Sequence, residues 1–533
     1  LVVRNFRKKL TLPVFFAVVL LAVTGFSIFS QFYLNPLQTE YSGKTAEITA
    51  VLVDEPENYR GSSFYTLKTK SINGEGKSLK LMLGTNREIR CEVGDTLKFT
   101  AELESADYGK YLADKVYLSA YTYEDIDTEK AEHRPFYYYI VKLRQSIRHT
   151  IYLNLEPDVA DFSAAVLLGD SIKNSENYEA LRRAGLTHIV VVSGLHLSVI
   201  TMFYAKTLGR CIKNKYLNVF IAVLIVLFFL FITGFGKSSI RAAIMLFVLL
   251  ASKLFKRKGD SLNSLGFAAI LLCLYNPFIA GDVGVLLSFS ATFGIVVFSP
   301  PLYEFLSKRL KPVYQSSHKL LNKSLRFILD LIAVTLTASM CTLPVNVLFF
   351  GRVSLVQIFS NLIVVPMVQF FMLSVAVCVP VAALAIPFVT DFFALVANAV
   401  GKVILYVAKL FASLPMAYVK ADYDFVLLWI LAVILLFSAA YLLSRNGRGL
   451  HLICVLMSVL ILISGSLAHI ISSQNKVTVY VTPAKQGQGI ILSSKDGNVL
   501  LNSAYNSNTE LYVEDILKDI YTENQLMVCS TEN

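Results

Sequence analysis

Repeated apolar runs, each long enough to cross a lipid bilayer, constrain this chain more than any other feature of its sequence. A membrane-spanning helix uses about 20 apolar residues, and the sequence has room for about eleven such runs. Charged residues make up only 16% of the 533 residues, against about a quarter in soluble proteins. These observations exclude a string of soluble domains and predict a polytopic α-helical membrane protein.

The predicted spans consist of one N-terminal run and a series that starts at residue 187. They are 10–32, 187–207, 216–235, 238–254, 262–280, 283–300, 327–350, 354–384, 388–411, 424–444 and 450–471. Basic residues precede the first run, and we interpret residues 1–34 as an uncleaved anchor. The run 354–384 contains Pro366 and Pro380, so it is either one kinked helix or a re-entrant pair.

The positions of the basic residues predict the topology. Cytoplasmic loops of membrane proteins carry an excess of Lys and Arg. Counted from a cytoplasmic N-terminus, the basic clusters all fall on the cytoplasmic side; they lie within 206–215, 253–258, 308–326 and 445–448. This count places two polar segments outside the cytoplasm, 40–135 with a net charge of −5 and 473–533 with −3. The overall charge of +11 therefore indicates topology rather than a nucleic-acid groove.

Residues 40–135 have the pattern of a small β domain. Polar and apolar residues alternate along several short stretches, and Asn73-Gly74 marks a turn between two of them. About five or six strands in this length suit a small barrel of the OB type, with another small β-sandwich as the alternative.

Residues 136–160 are predicted to form an amphipathic helix. Apolar side chains such as Ile140 and Ile147 repeat at helical spacing, opposite Lys142 and Arg148. This pattern is typical of a helix that lies on a membrane surface. A helix packed on the β domain fits it equally well.

The densest polar cluster within the apolar runs lies in residues 185–200, which we predict as part of one helix. It contains His188, Ser193, Gly194 and His196. Ionisable groups are costly inside a bilayer and usually face a cavity or a partner, so these residues are candidates to line a path. One alternative is that the histidines hydrogen-bond between packed helices. A Ser-His hydrolase is the other, although the Gly-x-Ser-x-Gly motif and a nearby acidic residue are missing.

A second cluster, residues 233–246, places Arg241 inside an apolar run that follows Gly234. A buried guanidinium can bind a phosphate through two parallel donors. It can equally pair with Asp170 or Asp282, or extend to the membrane interface. Further polar or kink-forming positions at membrane depth are Ser288, Pro344 and Asn361.

Five motifs follow one another in order along the chain. They read FSAAVLLGD, LTHIVVVSGLHLSVI, TGFGKSSIRAAIML, LYNPFIAGDVGVLLSFSATFGI and CTLPVNVLFFGRVSLVQIFSNLIVVP. They resemble the successive signatures of the ComEC family of competence proteins, which are bacterial DNA-uptake channels. The resemblance covers about residues 160–420, and we interpret 161–472 as the competence transmembrane domain.

The resemblance implies a channel in the bacterial inner membrane that passes one strand of incoming DNA into the cytoplasm during transformation. Its implied partners are single-stranded DNA, the lipid bilayer, an outer DNA receptor, a cytoplasmic helicase or ATPase, and possible further copies of the chain. The positions that match the family's signatures, and are thereby candidates for channel structure or path lining, are His188, Ser193, Gly194, His196, Gly234, Arg241, Ser288, Pro344 and Asn361.

In this family an outer OB-like domain is thought to engage the DNA. Single-strand binders combine basic grooves with stacking aromatic rings. The candidates for such contacts are Tyr65, Lys68, Lys70 and Lys80. The opposing interpretation is that most aromatic residues of this acidic domain form the barrel core.

Residues 473–533 resemble the first strands of a metallo-β-lactamase-like domain, the part of the family thought to degrade the other strand. The acidic residues expected near 485–489 and 501–504 are missing, and the sequence contains no HxDxDH ligand run. We therefore expect a partial or degenerate domain with α/β character, no metal, no cofactor and no catalytic residues. The remaining alternatives are a diverged membrane transporter, a structural membrane protein and a membrane-bound hydrolase.

Overall fold

The computed structural model describes residues 24–414 except 60–61, 88, 107–108, 173–175, 256–259 and 310–318, together with 417–420, a few isolated positions and four strands between 478 and 530. The chain divides into two compact units, residues 1–421 and 422–533. Most of the predicted anchor and the predicted spans 424–444 and 450–471 lie outside the described residues.

The N-terminal β domain is a closed five-stranded barrel. Its strands are β1 (Lys44–Leu52), β2 (Glu57–Tyr59), β3 (Ser62–Ile72), β4 (Lys80–Thr85), β5 (Thr96–Ser105), β6 (Val116–Tyr121) and β7 (Asp127–Glu129). The order is β1-β3-β4-β6-β5, and pairing of β5 back onto β1 closes it, while β2 and β7 extend its rim. Strands β4 and β6 run parallel and the other barrel pairs antiparallel. The prediction of an OB-like barrel is confirmed.

Alternating side chains fill the interior of this barrel, as the sequence pattern requires. Along β5, every second residue is buried, and Ile48, Leu67, Leu83 and Leu103 are fully enclosed. A π-helical turn (Ser30–Leu34) and helix α1 (Asn35–Tyr41) lead into the barrel, and α2 (Gly109–Ala113) connects β5 to β6.

A helical bundle follows the barrel. Its helices are α3 (Phe136–Asn154), α4 (Pro157–Leu168), α5 (Glu176–Arg183), α6 (Thr187–Val190), α7 (Gly194–Lys206), α8 (Leu208–Cys211), α9 (Lys215–Ile232), α10 (Lys237–Leu254), α11 (Ser261–Tyr275), α12 (Val283–Arg309), α13 (Lys319–Phe350), α14 (Gln357–Ala383) and α15 (Pro387–Ala412). Strands β8 (Arg352–Ser354) and β9 (Tyr418–Lys420) form a short antiparallel pair.

Five of the described helices are long and apolar enough to cross a membrane. They are Lys215–Ile232, Val283–Lys308, Asn322–Phe350, Gln357–Ala383 and Pro387–Ala412. Helix α11 is apolar but has only 15 residues. These helices agree with the prediction of a polytopic membrane protein, and the count of eleven spans stays a prediction.

Helix α14 settles the alternatives for the run 354–384. It is one continuous helix from Gln357 to Ala383, with Pro366 and Pro380 inside it. Its buried face packs on α15 and α4, where the rings of Phe162 and Phe371 lie 5.2 Å apart. Gly401 lets α15 pack close to α4, because a Cβ at this position would come within 2.6 Å of Val159.

The run 187–207 differs from the prediction of a single helix. Helix α6 ends at Val190, residues 191–193 are not helical, and α7 starts at Gly194. His188 and His196 therefore belong to different helices. The prediction was wrong here because apolar composition alone does not show where a chain breaks.

Helix α3 links the barrel to the bundle through its basic face. Arg148 is bonded to Glu55 of the barrel (Nη1 to Oε1, 2.8 Å) and to Asp170 after α4 (Nε to Oδ2, 2.6 Å). Arg144 is buried beside the same Asp170, with 3.6 Å between Nη2 and Oδ1. We call Glu55, Arg144, Arg148 and Asp170 the seam cluster. The predicted helix 136–160 thus packs on protein carboxylates, and it ends at Asn154 because Pro157 starts α4.

The second unit contains a four-stranded sheet. Its strands are β10 (Thr478–Val481), β11 (Gly489–Ser493), β12 (Asn498–Asn502) and β13 (Leu526–Ser530). The first two pairs are antiparallel, and β12 with β13 is parallel. Assignment of residues 473–533 to a degenerate metallo-β-lactamase-like domain stays a prediction.

Candidate functional site

The N-terminus of α7 is held by the two polar residues that the sequence singled out. Ser193 has extended backbone angles, and its Oγ accepts a hydrogen bond from the Leu195 N–H. The Nδ1 of His196 accepts from the Ser193 backbone N–H at 3.0 Å. This reciprocal arrangement is a capping box, with histidine in the place usually taken by Glu or Gln.

The capping geometry defines the protonation of His196. A neutral imidazole has one donor and one acceptor nitrogen, so an accepting Nδ1 places the proton on Nε2. The side chain is 1% exposed. Its Nε2–H lies near the backbone of Ile189 but makes no hydrogen bond of normal geometry within the described residues.

Arg241 of α10 lies against this capped helix end. A Cβ added at Gly194 would be 3.3 Å from the Nη2 of Arg241, so glycine lets the guanidinium approach the helix N-terminus. Its Nη1 donates to the Oγ1 of Thr292 at 2.6 Å, and its Cζ is 5.7 Å from the ring centre of Phe289. Thr292 in turn donates to the Ser288 carbonyl at 2.8 Å. We call Ser193, Gly194, His196, Arg241 and Thr292 the Arg241 site.

No carboxylate compensates Arg241 among the described residues. Asp170 pairs with Arg144 and Arg148, and Asp282 pairs with Lys237 at 2.7 Å. Both carboxylate partners considered from the sequence are therefore excluded. Arg241 is only 6% exposed, which also excludes a side chain extended into the interface. Its Nε has no hydrogen-bond partner in the described part of the chain.

This arrangement is complementary to an anion. The N-terminus of α7 carries a partial positive charge, while its Leu195 N–H already donates to the Ser193 Oγ. The guanidinium of Arg241 adds donors with a full charge. A buried charge without a partner is costly, so the site is suited to a ligand that supplies negative charge. A phosphate group satisfies both the charge and the donor geometry.

The contact between Ser193 and His196 differs from the nucleophile–base pair of a hydrolase in its hydrogen bonds. The Ser193 Oγ lies 3.1 Å from the Nδ1 of His196, which resembles a nucleophile and its base. That nitrogen is already engaged by the backbone N–H of Ser193. In a Ser-His-Asp triad, an acidic side chain also orients the other imidazole nitrogen. No carboxylate forms a salt bridge with His196 in the described residues. Nor do the described residues contain a group of three or more His, Cys, Asp or Glu side chains suited to a metal ion.

The remaining signature residues lie around the Arg241 site or apart from it. His188 of α6 is exposed and close enough to His196 to interact with it electrostatically. Asn361 is buried in α14, and its Oδ1 lacks a hydrogen-bond partner in the described residues. Its neighbour Ser360 bonds the Ala184 carbonyl at 2.7 Å, so this motif holds the segment that precedes α6. Pro344 lies within α13.

Gly234 belongs to the seam rather than to the Arg241 site. Its φ is +67°, and an added Cβ would lie 3.4 Å from the Nη1 of Arg144. A glycine here combines a left-handed backbone with close approach of a guanidinium. The motif's role at this position is therefore to seat Arg144.

The barrel candidates divide into one core residue and three surface lysines. Tyr65 is 1% exposed, and its hydroxyl accepts a hydrogen bond from the Ile89 N–H at 2.8 Å. A buried ring cannot stack on a base, which corrects the prediction of Tyr65 as a DNA contact. Lys68, Lys70 and Lys80 are exposed.

Two functional features were not found from the sequence. Thr292 appeared only as one hydroxyl in a motif, and its bond to Arg241 depends on a contact between α10 and α12. The seam cluster was missed because Glu55 and Arg148 are 93 residues apart. The basic face of α3 was the available signal, since charged side chains that become buried need partners.

The comparison with known proteins agrees with the order of the motifs. Residues 167–446 match the profile of a family described as "Competence protein". This match covers more than half of the sequence. The chain belongs to the competence protein family.

The individual relatives share about a quarter to a third of their aligned residues with this chain. ComE operon protein 3 of Bacillus subtilis (strain 168) is 26% identical over 337 residues, covering 62% of this chain and 39% of the relative. The uncharacterized protein MG316 of Mycoplasma genitalium is 30% identical over 151 residues, covering 28% and 38%. The chain thus spans less than half the length of these relatives. No solved structure matches it significantly.

Proposed function

We propose that this competence-family protein is the membrane channel component of DNA uptake, and that single-stranded DNA passes through its helical bundle. Family membership and the long apolar helices support the general role. The observation that carries the finer proposal is the buried, uncompensated guanidinium of Arg241 beside a helix N-terminus. DNA carries one phosphate per nucleotide, so each passing phosphate would compensate that charge in turn.

In this proposal the chain transports and does not cut. Arg241 contacts phosphate oxygens, Thr292 orients the guanidinium, and the Ser193–His196 cap fixes the start of α7 beside it. The force comes from partner proteins such as a cytoplasmic helicase or ATPase, and an outer receptor delivers the DNA. The N-terminus is cytoplasmic, and the barrel and the tail are extracytoplasmic.

The test replaces Arg241 in a naturally competent bacterium whose own family member is deleted and which expresses this chain. A hydrogen bond to a charged group contributes about 1.5–3 kcal/mol, which corresponds to a loss of about 10- to 100-fold. We expect Arg241→Gln to lower the transformation frequency and the entry of fluorescent DNA by about that factor, and Arg241→Lys by less.

The matched control is Arg182→Gln. Arg182 is an exposed arginine paired with Glu179 on the same helix, so its loss should leave DNA entry unchanged. Equal amounts of membrane-inserted protein are required for each variant. If cells with Arg241→Gln take up DNA as well as cells with the wild-type protein, the proposed phosphate contact is wrong. If the wild-type chain itself does not restore DNA uptake, the channel function is wrong, and a diverged transporter or a structural membrane protein becomes the better interpretation.

A further inference from the structure

A cavity of about 390 Å³ lies where the barrel meets the ends of two apolar segments. The barrel contributes Lys68, Lys80 and Lys115, and the end of the N-terminal run and the residue after it contribute Phe29 and Tyr33. Tyr275, the last residue of α11, completes the wall. The cavity is separate from the Arg241 site and from the seam cluster, since none of their residues lines it.

The barrel side of this cavity is cationic. Lys68 of β3 lies directly opposite Lys80 of β4 in the strand register, and Lys115 places its Nζ 3.6 Å from the ring centre of Tyr275. Among the described residues, the Nζ of Lys80 donates to the backbone carbonyl of Asp114 at 3.4 Å. In the described part of the chain, no acidic side chain lines the cavity and none of the three lysines has a carboxylate partner.

The opposite side is aromatic and continues into exposed apolar surface. Tyr33 packs edge-on against Tyr117 with ring centres 5.9 Å apart. Next to the cavity, Phe32 and Leu274 are each 77% exposed. Tyrosines that border such a surface are typical of the membrane–water interface.

The cavity is held open by direct bonds between barrel and bundle. Asn276, which is 1% exposed, donates through its Nδ2 to the carbonyls of Leu112 and Ala113 at 2.8 and 3.1 Å. Lys237 bonds Asp114 at 3.0 Å on the same loop. These bonds fix the backbone next to Lys115, and the pairing of β3 with β4 fixes the backbone of Lys68 and Lys80.

We propose that this cavity binds the phosphodiester headgroup of an anionic phospholipid in the leaflet on the barrel's side. The lysines contact the headgroup phosphate, Tyr33 and Tyr275 lie at the level of the glycerol, and the acyl chains follow the exposed apolar surface around Phe32 and Leu274. A basic pocket at the ends of membrane helices has the chemistry that recognises such headgroups.

The aromatic residues favour a lipid over a nucleic acid strand. Tyr117 is only 7% exposed. Tyr33 and Tyr275 are 44% and 66% exposed, but Tyr33 packs against Phe29 and Tyr117, and the Nζ of Lys115 lies over the ring of Tyr275. Stacked bases need open ring faces. The inference is independent of DNA uptake, because it needs only the membrane.

The test titrates short-chain phosphatidylglycerol into the purified full chain in nonionic detergent and measures affinity through the thermal unfolding temperature. We expect each of Lys68→Ala, Lys80→Ala and Lys115→Ala to weaken binding about fivefold, and the triple variant about a hundredfold. The triple Lys→Arg variant keeps the charge and should stay within about threefold of wild type. Lys70→Ala is the matched control, because Lys70 is an exposed lysine two residues from Lys68 that does not line the cavity.

Three further ligands identify the source of the phosphate. Phosphatidylcholine binding as tightly as phosphatidylglycerol would overturn the anionic specificity. Glycerol 3-phosphate binding as tightly would replace the lipid with a soluble phosphate. A single-stranded oligonucleotide that displaces the lipid and needs the same three lysines, but not Lys70, would make the cavity a DNA contact. The proposal is supported if phosphatidylcholine, glycerol 3-phosphate and the oligonucleotide all bind more weakly than phosphatidylglycerol.

Discussion

Two buried arginine sites in this protein have opposite electrostatics. In the seam cluster, Arg144 and Arg148 meet Asp170, and Arg148 also meets Glu55. In the Arg241 site, the guanidinium meets a hydroxyl, a helix N-terminus and an aromatic ring, with no carboxylate among the described residues. Both arginines 144 and 241 are less than a tenth exposed, so burial alone does not distinguish them.

The difference separates a site whose charges are paired within the protein from one whose charge has no carboxylate partner among the described residues. A paired buried charge is satisfied within the protein, and removing its partner destabilises the fold. An uncompensated buried charge is satisfied only when an anion arrives. The seam therefore joins barrel to bundle, whereas the proposed function assigns the charge of Arg241 to a phosphate.

The largest expected effect on stability comes from the seam. Asp170→Asn keeps the shape of the side chain but removes the charge shared by Arg144 and Arg148. Breaking one partner of a buried ion pair costs about 3–5 kcal/mol, and we expect about 3 kcal/mol here because Arg148 keeps Glu55. Arg241→Gln should leave stability equal or higher, because it removes an uncompensated charge.

Denaturation of the purified proteins in detergent measures both free energies of unfolding. The exposed substitution Asp125→Asn provides the baseline, since Asp125 lies at the surface. If Arg241→Gln destabilised the protein as much as Asp170→Asn, the two sites would not differ in the way described.

A smaller effect is expected from a methyl group beside Arg241. In Gly194→Ala, the new Cβ would lie 3.3 Å from both the Arg241 Nη2 and the Ala242 Cβ, so the guanidinium must move by a few tenths of an ångström. We expect transformation to fall about tenfold while stability changes by less than about 1 kcal/mol, since alanine itself favours a helix.

Gly266→Ala is the control for this change. Gly266 also lies in a helix, and an added Cβ there meets no atom within 4 Å. Transformation should be unaffected and stability slightly higher. Equal losses in both variants would show that the position of the guanidinium does not matter.

The smallest expected effect is a change in pH dependence at the seam. Burial tends to raise the pKa of Glu55, but the hydrogen bond and charge of Arg148 outweigh it, so the folded-state pKa lies below the ordinary value. The pair therefore stabilises the fold above the unfolded pKa of about 4.3, and this contribution is lost as the pH falls through the lower folded value.

Glu55→Gln should accordingly flatten the decline of stability below about pH 4.3. The neighbouring Asp54, whose pKa burial raises, acts with the opposite sign and is present in both proteins. Unfolding temperatures measured from pH 6 to pH 3 compare the slopes. A slope as steep in the variant as in wild type would contradict the assignment of Glu55 to the seam.

Local patterns in the sequence predicted the barrel and most long helices. Alternation along Thr96–Ser105 and apolar length along Pro387–Ala412 depend on neighbouring residues only, and both elements appear as expected. The break before Gly194 was missed, although Ser193 is a favourable N-cap residue, because the apolar residues on either side read as one run.

The partners of charged residues could not be predicted in the same way. Arg241 was recognised as a phosphate candidate, yet Asp170 and Asp282 stood as equal alternatives until the fold assigned them to Arg148 and Lys237. Likewise, alternation along β3 does not distinguish Tyr65 facing the core from Tyr65 facing DNA. Long-range contacts decide such questions, and one sequence does not contain them.

The most direct test asks whether Arg241 recognises phosphate charge. Purified wild type and Arg241→Gln are compared for their affinity for a single-stranded phosphodiester oligonucleotide and for its uncharged methylphosphonate counterpart. Wild type should prefer the charged strand, and this preference should shrink about 10- to 100-fold in Arg241→Gln while staying intact in Arg182→Gln. An equal preference in all three proteins would contradict the claim that DNA phosphates compensate Arg241.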